Sequence, residues 1–229
     1  MMEDRDCYAT PLQRELIKLV ASAPFLQPFF LAGGTCLSVF YLHHRISHDL
    51  DFFTVDPVNL VELAEPIRHL LQPQAVAASA PHFLSCVVRD VKVDFVMDPL
   101  SSRLQRPKVL LDQVTVTIDH IDNLRVNKLC AVVSRTAPRD VVDWFVLYRE
   151  AHTTMFEDYT IARQREALLD DEMYVAEKFF WIADEADRLL AAIRPDLRTA
   201  LEAPDLARFA RATGELLLRS GPGQSRSRA

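Results

Sequence analysis

Residues 31–53 read Leu-Ala-Gly-Gly-Thr-Cys-Leu-Ser-Val-Phe-Tyr-Leu-His-His-Arg-Ile-Ser-His-Asp-Leu-Asp-Phe-Phe. The apolar run Phe29–Ala32 predicts a short buried strand that stops at Gly33-Gly34. From Thr35 to His43 the apolar residues Leu37, Phe40 and Tyr41 recur at helical spacing, so a helix follows. Residues 49–54 begin by alternating polar and apolar, as a half-buried strand does. A Gly-Gly-Thr turn between strand and helix bares backbone N–H groups at a helix N-terminus. No Cβ blocks an approaching anion there, and the helix dipole favours negative charge. Thr35 adds a hydroxyl. Taken alone, a tight strand-to-helix turn is the simpler reading.

Asp49 and Asp51 lie two apart on the next strand, so their carboxylates share a face with Cα atoms roughly 6.6 Å apart. Leu50 and Phe52 face the other way, into a core. Adjacent carboxylates raise each other's pKa unless a cation lies between them. Hard oxygen donors without histidine or thiol favour Mg²⁺ or Mn²⁺. Alone, the Asp-x-Asp pair reads as an ordinary strand edge. Joined to the glycine turn, it supplies what nucleotidyl transfer needs. The turn would cradle the β/γ-phosphates of an NTP, and the di-acid would hold divalent ions. Two-metal chemistry calls for a third carboxylate. Asp94, inside the β-branched run Val91–Val96, is the candidate, because a carboxylate there is costly to bury unless paired or metal-bound. It is also the candidate base for the attacking hydroxyl. Lys92 shares its face and offers a plain salt bridge instead. Asp90 and Asp98 flank the strand as surface residues.

The rest of the chain sets bounds. Of 229 residues only five are glycine (Gly33, Gly34, Gly214, Gly221 and Gly223), far below the usual ~7%. A glycine pair in such a chain needs a reason; the later three read as a helix break and a tail. The net charge is −6, which argues against broad duplex DNA binding through phosphates but leaves room for a local basic site. Cys7, Cys36, Cys86 and Cys130 form no C-x-x-C pair, and Cys36 and Cys130 read as small core residues. No signal peptide is expected. The fourteen-residue run Phe29–Leu42 is too short to span a membrane. The expectation is a protein of the reducing cytoplasm.

Helices are predicted over 11–22, opened by Thr10-Pro11, and over 58–71, with Pro66 an unfavourable residue in its middle. Strands are predicted over 83–88, 91–97 and 114–118. Helical periodicity runs from about Asn123 to residue 219, with breaks at Pro138, Pro195 and Pro204. The expected organisation is α+β: a mixed-sheet catalytic core (1–120), a helical part (121–219) and a disordered tail (220–229). His44 and His48 stand four apart, but Arg45 and Ser47 lie between them and the H-E-x-x-H glutamate is absent, so a structural or solvent-exposed role is the better reading than a metal site. Phe179, Phe180 and Trp181 read as core, and the arginines of the last helices as a solvated face.

The segment 31–53 resembles the AbiEii/AbiGii toxin family of nucleotidyltransferases, relatives of DNA polymerase β in fold. The family motif is Gly-Gly-Thr, a helix, then Arg-x-Ser-x-Asp-Leu-Asp-Phe-Phe, and Arg45, Ser47, Asp49 and Asp51 match it. Lys128, Arg135 and the run Arg139-Asp140-Val141-Val142-Asp143 resemble a second, helical motif of the family. The likeness covers roughly residues 28–150 and implies a nucleotidyltransferase fold and NTP-dependent transfer with Mg²⁺ or Mn²⁺. By the same resemblance, Arg45 and Ser47 shape the phosphate cradle and Lys128 contacts the triphosphate. Asp140 and Asp143 would stand behind the nucleotide-contacting residues or on the acceptor side. The resemblance also brings in a bacterial toxin–antitoxin or abortive-infection role, a cognate antitoxin partner, and tRNA as an acceptor known for related enzymes. Two other classes compete: a small-molecule, antibiotic-type nucleotidyltransferase, and a regulatory partner that binds nucleotide without turnover.

Overall fold

The alternation read at residues 49–54 becomes a strand, β2 (Leu50–Thr54), whose odd positions stay half-exposed while Leu50, Phe52 and Thr54 are buried. The computed structural model describes residues 7–149 and 152–220. The chain divides into two compact units between Leu124 and Arg125. In the first, α1 (Pro11–Ser22) precedes β1 (Phe30–Ala32), and α2 (Gly33–Cys36) runs on as a π-helical turn, Leu37–Leu42. After β2 come α3 (Leu60–Leu71), β3 (Ala75–Ala80), β4 (Phe83–Val88) and β5 (Val91–Met97). The strands form one mixed sheet in the order β1-β2-β5-β4-β3, with β2 and β5 parallel and the other neighbours antiparallel. A separate hairpin, β6 (Lys108–Leu111) and β7 (Val114–Thr117), packs β7 against α1.

Even positions of β2 and odd positions of β5 meet in the core, where the rings of Phe52 and Phe95 stack at 5.4 Å and Phe29 meets Phe95 edge-on at 5.5 Å. Ile17, Leu26 and Leu31 are fully buried beside them. The sequence reading misses β3 and β6. The residues of β3, Ala-Val-Ala-Ala-Ser-Ala, have weak strand propensity and lie mostly exposed. It is an edge strand made by its pairing with β4, and such tertiary pairing outweighs intrinsic preference. α3 starts at Leu60 because Asn59 caps it, accepting from the Val61 amide at 3.2 Å. Pro66 is tolerated inside this helix.

The second unit is helical: the body of α4 (Ile121–Ser134), then α5 (Pro138–Tyr148), α6 (His152–Ala162), α7 (Glu172–Asp184), α8 (Ala186–Ile193) and α9 (Ala203–Ser220). Trp144 of α5 is fully buried, with Phe179 at 4.8 Å and Phe209 at 5.0 Å, so Phe179 belongs to the core. Phe180 is only partly buried and Trp181 is exposed. Two expectations need correction. Gly214 lies within α9 rather than at a break, and a Cβ there would come within 2.9 Å of the Phe180 ring and 3.1 Å of the Ala176 carbonyl. It lets α9 sit close on α7. Pro204 lies in the first turn of α9, where its missing N–H costs no helical bond, so the break precedes it. Cys130 is only partly buried, whereas Cys36 is wholly so. The tail expected over 220–229 lies, from residue 221 on, outside the described residues. Among the described residues no helix is long and apolar enough to cross a membrane.

Candidate active site

The glycine pair is where the two ends of the 31–53 motif meet. Gly33 has φ +63°, and a Cβ built on it would fall 1.9 Å from Asp51 Oδ2. A side chain there would be strained and would displace the carboxylate. A Cβ on Gly34 would lie 2.7 Å from Arg45 Nη2 and 2.8 Å from Ser47 Oγ. Three residues picked out by sequence therefore converge on this bare stretch of backbone. The fourth, Asp49, is half-buried just before β2, and its carbonyl accepts a short hydrogen bond from the Thr35 hydroxyl. That hydroxyl, expected at the anion site, instead fixes the strand that carries the di-acid. The Ser38 hydroxyl donates to the Gly34 carbonyl at 2.7 Å, which steadies the turn from the helix side. Within α2 the backbone passes into the π-helical turn and closes at His43, φ 52°. Single π turns are frequent at functional sites.

The loop carrying Arg45 and Ser47 is held by a residue that sequence reasoning missed. Gln13 is fully buried, donates from Nε2 to the Ser47 carbonyl at 2.9 Å, and accepts from the Ala9 amide at 2.6 Å. Its signal was a polar side chain on the apolar stripe of α1, one turn ahead of Leu16 and Ile17. Arg45 is itself buried and donates from Nη1 to the Ile46 carbonyl at 2.9 Å. His44 is fully buried and His48 exposed, so the two do not share a face.

Parallel pairing of β2 with β5 sets Asp51 opposite Asp94. Direct partners in a ladder project to the same face, so the third carboxylate lies beside the di-acid. Asp94 is 8% exposed. Ser85, its partner on β4, donates to Oδ1 at 2.6 Å, and Lys92 donates to Oδ2 at 2.5 Å. Both the salt bridge and the register are therefore real. Among the described residues no cluster of three or more His, Cys, Asp or Glu is set to hold a metal ion. The donor set nevertheless suits Mg²⁺, which is commonly held by one or two carboxylates together with substrate phosphates rather than by an all-protein cage. Asp49 and Asp51 are the two that would hold it.

Asp119, also missed, anchors the same sheet. It is fully buried, its amide donates to the Leu31 carbonyl at 2.8 Å, and Asn123 donates to its Oδ2 at 2.6 Å. Burial, with Asp119 nearby, pushes the Cys36 thiol well up, so Cys36 is an inert core residue.

The helical unit carries the second motif. Lys128, 7% exposed, lies 3.0 Å from Asp140 Oδ1 and 2.6 Å from Asp143 Oδ2. Arg135 donates to both oxygens of Asp140, at 2.6 and 3.0 Å. Asp140 and Asp143 are fully buried. Burial would raise the Asp140 pKa, but Lys128 and Arg135 outweigh it and hold the carboxyl below its usual range.

A mixed sheet with a glycine turn, an adjacent di-acid and a third acid on the neighbouring parallel strand defines a nucleotidyltransferase. The chain belongs to the AbiEii family, the nucleotidyl transferase toxins of type IV toxin–antitoxin systems, whose family model matches residues 17–216. It is therefore an NTP-dependent nucleotidyltransferase enzyme. Three solved structures share the fold. MenT4, a nucleotidyltransferase toxin from Mycobacterium tuberculosis H37Rv, is 18% identical with a TM-score of 0.53, over 92% of this chain and 83% of that one. A candidate nucleotidyltransferase from H. pylori is 17% identical with a TM-score of 0.52, over 91% and 92% of the two chains. The antibiotic-resistance factor ANT(2'')-Ia is 15% identical with a TM-score of 0.52, over 69% of this chain and 95% of its own. At these identities the likeness is one of fold. Comparison with curated proteins gives no match.

Proposed function

We propose that this toxin-family enzyme transfers a nucleotide from an NTP to a hydroxyl of RNA, with tRNA as the acceptor class, in a reaction that requires Mg²⁺ or Mn²⁺. The observation that carries this reading is the convergence at the glycine pair. The space that side chains at 33 and 34 would take is filled by Asp51, Arg45 and Ser47. A triphosphate lying along this turn would meet backbone N–H groups, the Arg45 guanidinium and the Ser47 hydroxyl. A guanidinium matches phosphate oxygens with a planar fork of donors.

Asp49 and Asp51 would hold the divalent ion, which when bound neutralises charge developing on the phosphates and the leaving pyrophosphate. Thr35 and the β2 pairing orient the two acids. Asp94 would take the proton of the acceptor hydroxyl. Its bond to Lys92 holds one oxygen in place, and Ser85 fixes the other. Lys128 is proposed to contact the triphosphate. An ammonium has three donors; Asp140 and Asp143 take two, which leaves one N–H for a phosphate oxygen. Asp143, through Lys128, would position that donor. The cognate partner is proposed to be an antitoxin, and the compartment the cytoplasm.

The test is incubation of the purified chain with each labelled NTP, total RNA and Mg²⁺, followed by mapping of the labelled species. Label at one position of tRNA, lost on addition of EDTA, is expected. Transfer to a small cationic acceptor but not to RNA would overturn the acceptor reading. NTP binding without label in any species would favour the regulatory partner.

A further inference from the structure

Beside the β6–β7 hairpin of the first unit a pocket of about 640 Å³ is lined by Gln105, Arg106, Pro107, Lys108, Thr117 and His120. We propose that it holds a backbone phosphate of the acceptor RNA. This rests on RNA being the acceptor.

The lining is unusual for this chain. With 32 acidic residues and a net charge of −6 overall, the pocket still has two permanent cations, an imidazole, a hydroxyl and an amide, and no carboxylate. Arg106 is placed rigidly. Its guanidinium stacks over the Phe30 ring at 3.6 Å, its Nε lies 3.4 Å from Asp119 Oδ1, and its Nη2 donates to the Ser102 carbonyl at 2.7 Å. Such anchoring removes most of the entropy cost of ordering a long side chain around an anion. Asp119 balances the Arg106 charge, and Asp122, 3.4 Å from His120, faces the imidazole. The surplus charge comes from Lys108, which is exposed and makes no ion pair among the described residues.

Position ties the pocket to the reaction. Phe30 and Ala32 lie two apart on β1, and Ala32 is the register partner of Asp51. The ring under Arg106 therefore projects to the face of the sheet that carries the di-acid. The Asp119 amide, bonded to the Leu31 carbonyl, fixes the pocket wall two residues before Gly33. The glycine turn accounts for the phosphates of the NTP. A second cationic pocket on the same face has no use for a cationic small acceptor, and a use for a chain that bears a phosphate at every residue.

The experiment measures binding of labelled unfractionated tRNA by the full chain across a salt series, for the wild type, Lys108→Gln and Lys108→Glu, with NTP affinity measured in parallel. Lys108 is exposed at the start of β6, so the fold should stand. Each phosphate contact contributes about 0.7–0.9 to the slope of log K against log salt. Lys108→Gln should lower the slope by about that amount and weaken tRNA binding several-fold. Lys108→Glu should weaken it further, and NTP affinity should not change. An unchanged slope, with the wild type binding tRNA, would overturn the pocket and leave the acceptor reading intact. No tRNA binding by the wild type at any salt would overturn both. An equal loss of NTP affinity would give the pocket to the nucleotide and overturn the proposal.

Discussion

Two acidic motifs, one in each unit, use similar residues to opposite ends. Asp49 and Asp51 are two apart, the period of a strand. They are half-exposed, and a bare turn closes over Asp51. Asp140 and Asp143 are three apart, near the period of a helix. They are fully buried and share Lys128, with Arg135 forked onto Asp140. Neutralised carboxylates of the second kind are poor ligands for an incoming cation. Carboxylates of the first kind are half-exposed, where an incoming cation can reach them. The difference leaves the sheet pair the more accessible of the two.

The strongest way to break this contrast is Asp51→Asn. It removes a charge from the site and little packing, so labelled transfer should fall by at least about 10³-fold. Unfolding free energy should stay within ~1 kcal/mol of the wild type. Retained transfer in that variant would sink the mechanism. Lys128→Met should act on stability as well as on transfer. It leaves two buried carboxylates short of a cation, and truncating one side of a buried pair costs about 3–5 kcal/mol, a large share of a domain's stability. The sign with pH follows from Asp140, whose folded-state pKa is depressed. Its contribution is fully present above the unfolded carboxyl pKa and is lost as pH falls through the folded value. Without Lys128 the depression shrinks, so denaturant midpoints should begin to fall at a higher pH than in the wild type. An acid limb that coincides with the wild type would contradict the ion-pair assignment.

Gly33→Ala should sit lower on the scale of stability, at about 1–3 kcal/mol for a strained left-handed residue. It should still silence transfer, because the new Cβ cannot coexist with Asp51 Oδ2 at 1.9 Å. Normal activity in that variant would mean that Asp51 need not lie against the turn.

How much of this was legible follows from which periods and contacts are local. The di-acid, the glycine turn and Asp94 could be read because strand alternation and an isolated charge in an apolar run are visible within ten residues. The purpose of the glycines was legible only in part. Sequence suggested room for phosphates, whereas the space is bounded by Asp51, Arg45 and Ser47, a contact that needs the sheet to form. Gln13 and Asp119 escaped because their partners, the Ser47 and Leu31 backbones, are 34 and 88 positions away, and no local pattern marks a polar residue that serves remote carbonyls and amides. β3 escaped because alanine carries little strand preference, and its neighbour β4 makes it a strand.

The smallest expected effect sharpens the contrast most. Lys92 pairs with Asp94 and Lys128 with Asp140 and Asp143, but Lys92 is 47% exposed at its side chain, against 8% for Lys128. An exposed pair is worth about 0–1 kcal/mol, and Ser85 remains to satisfy Asp94 Oδ1. Lys92→Met should therefore cost under ~1 kcal/mol in denaturant titration, several-fold less than the same change at Lys128. Lys92 holds Asp94 without itself taking part in the proposed transfer, so transfer should persist in this variant, whereas Asp94→Asn should lower it by about 10²–10⁴-fold if Asp94 works as the base. A loss of stability at Lys92 equal to that at Lys128 would erase the distinction between the two acidic motifs. Undiminished transfer in Asp94→Asn would remove Asp94 from the proton transfer while leaving Asp49 and Asp51 in place.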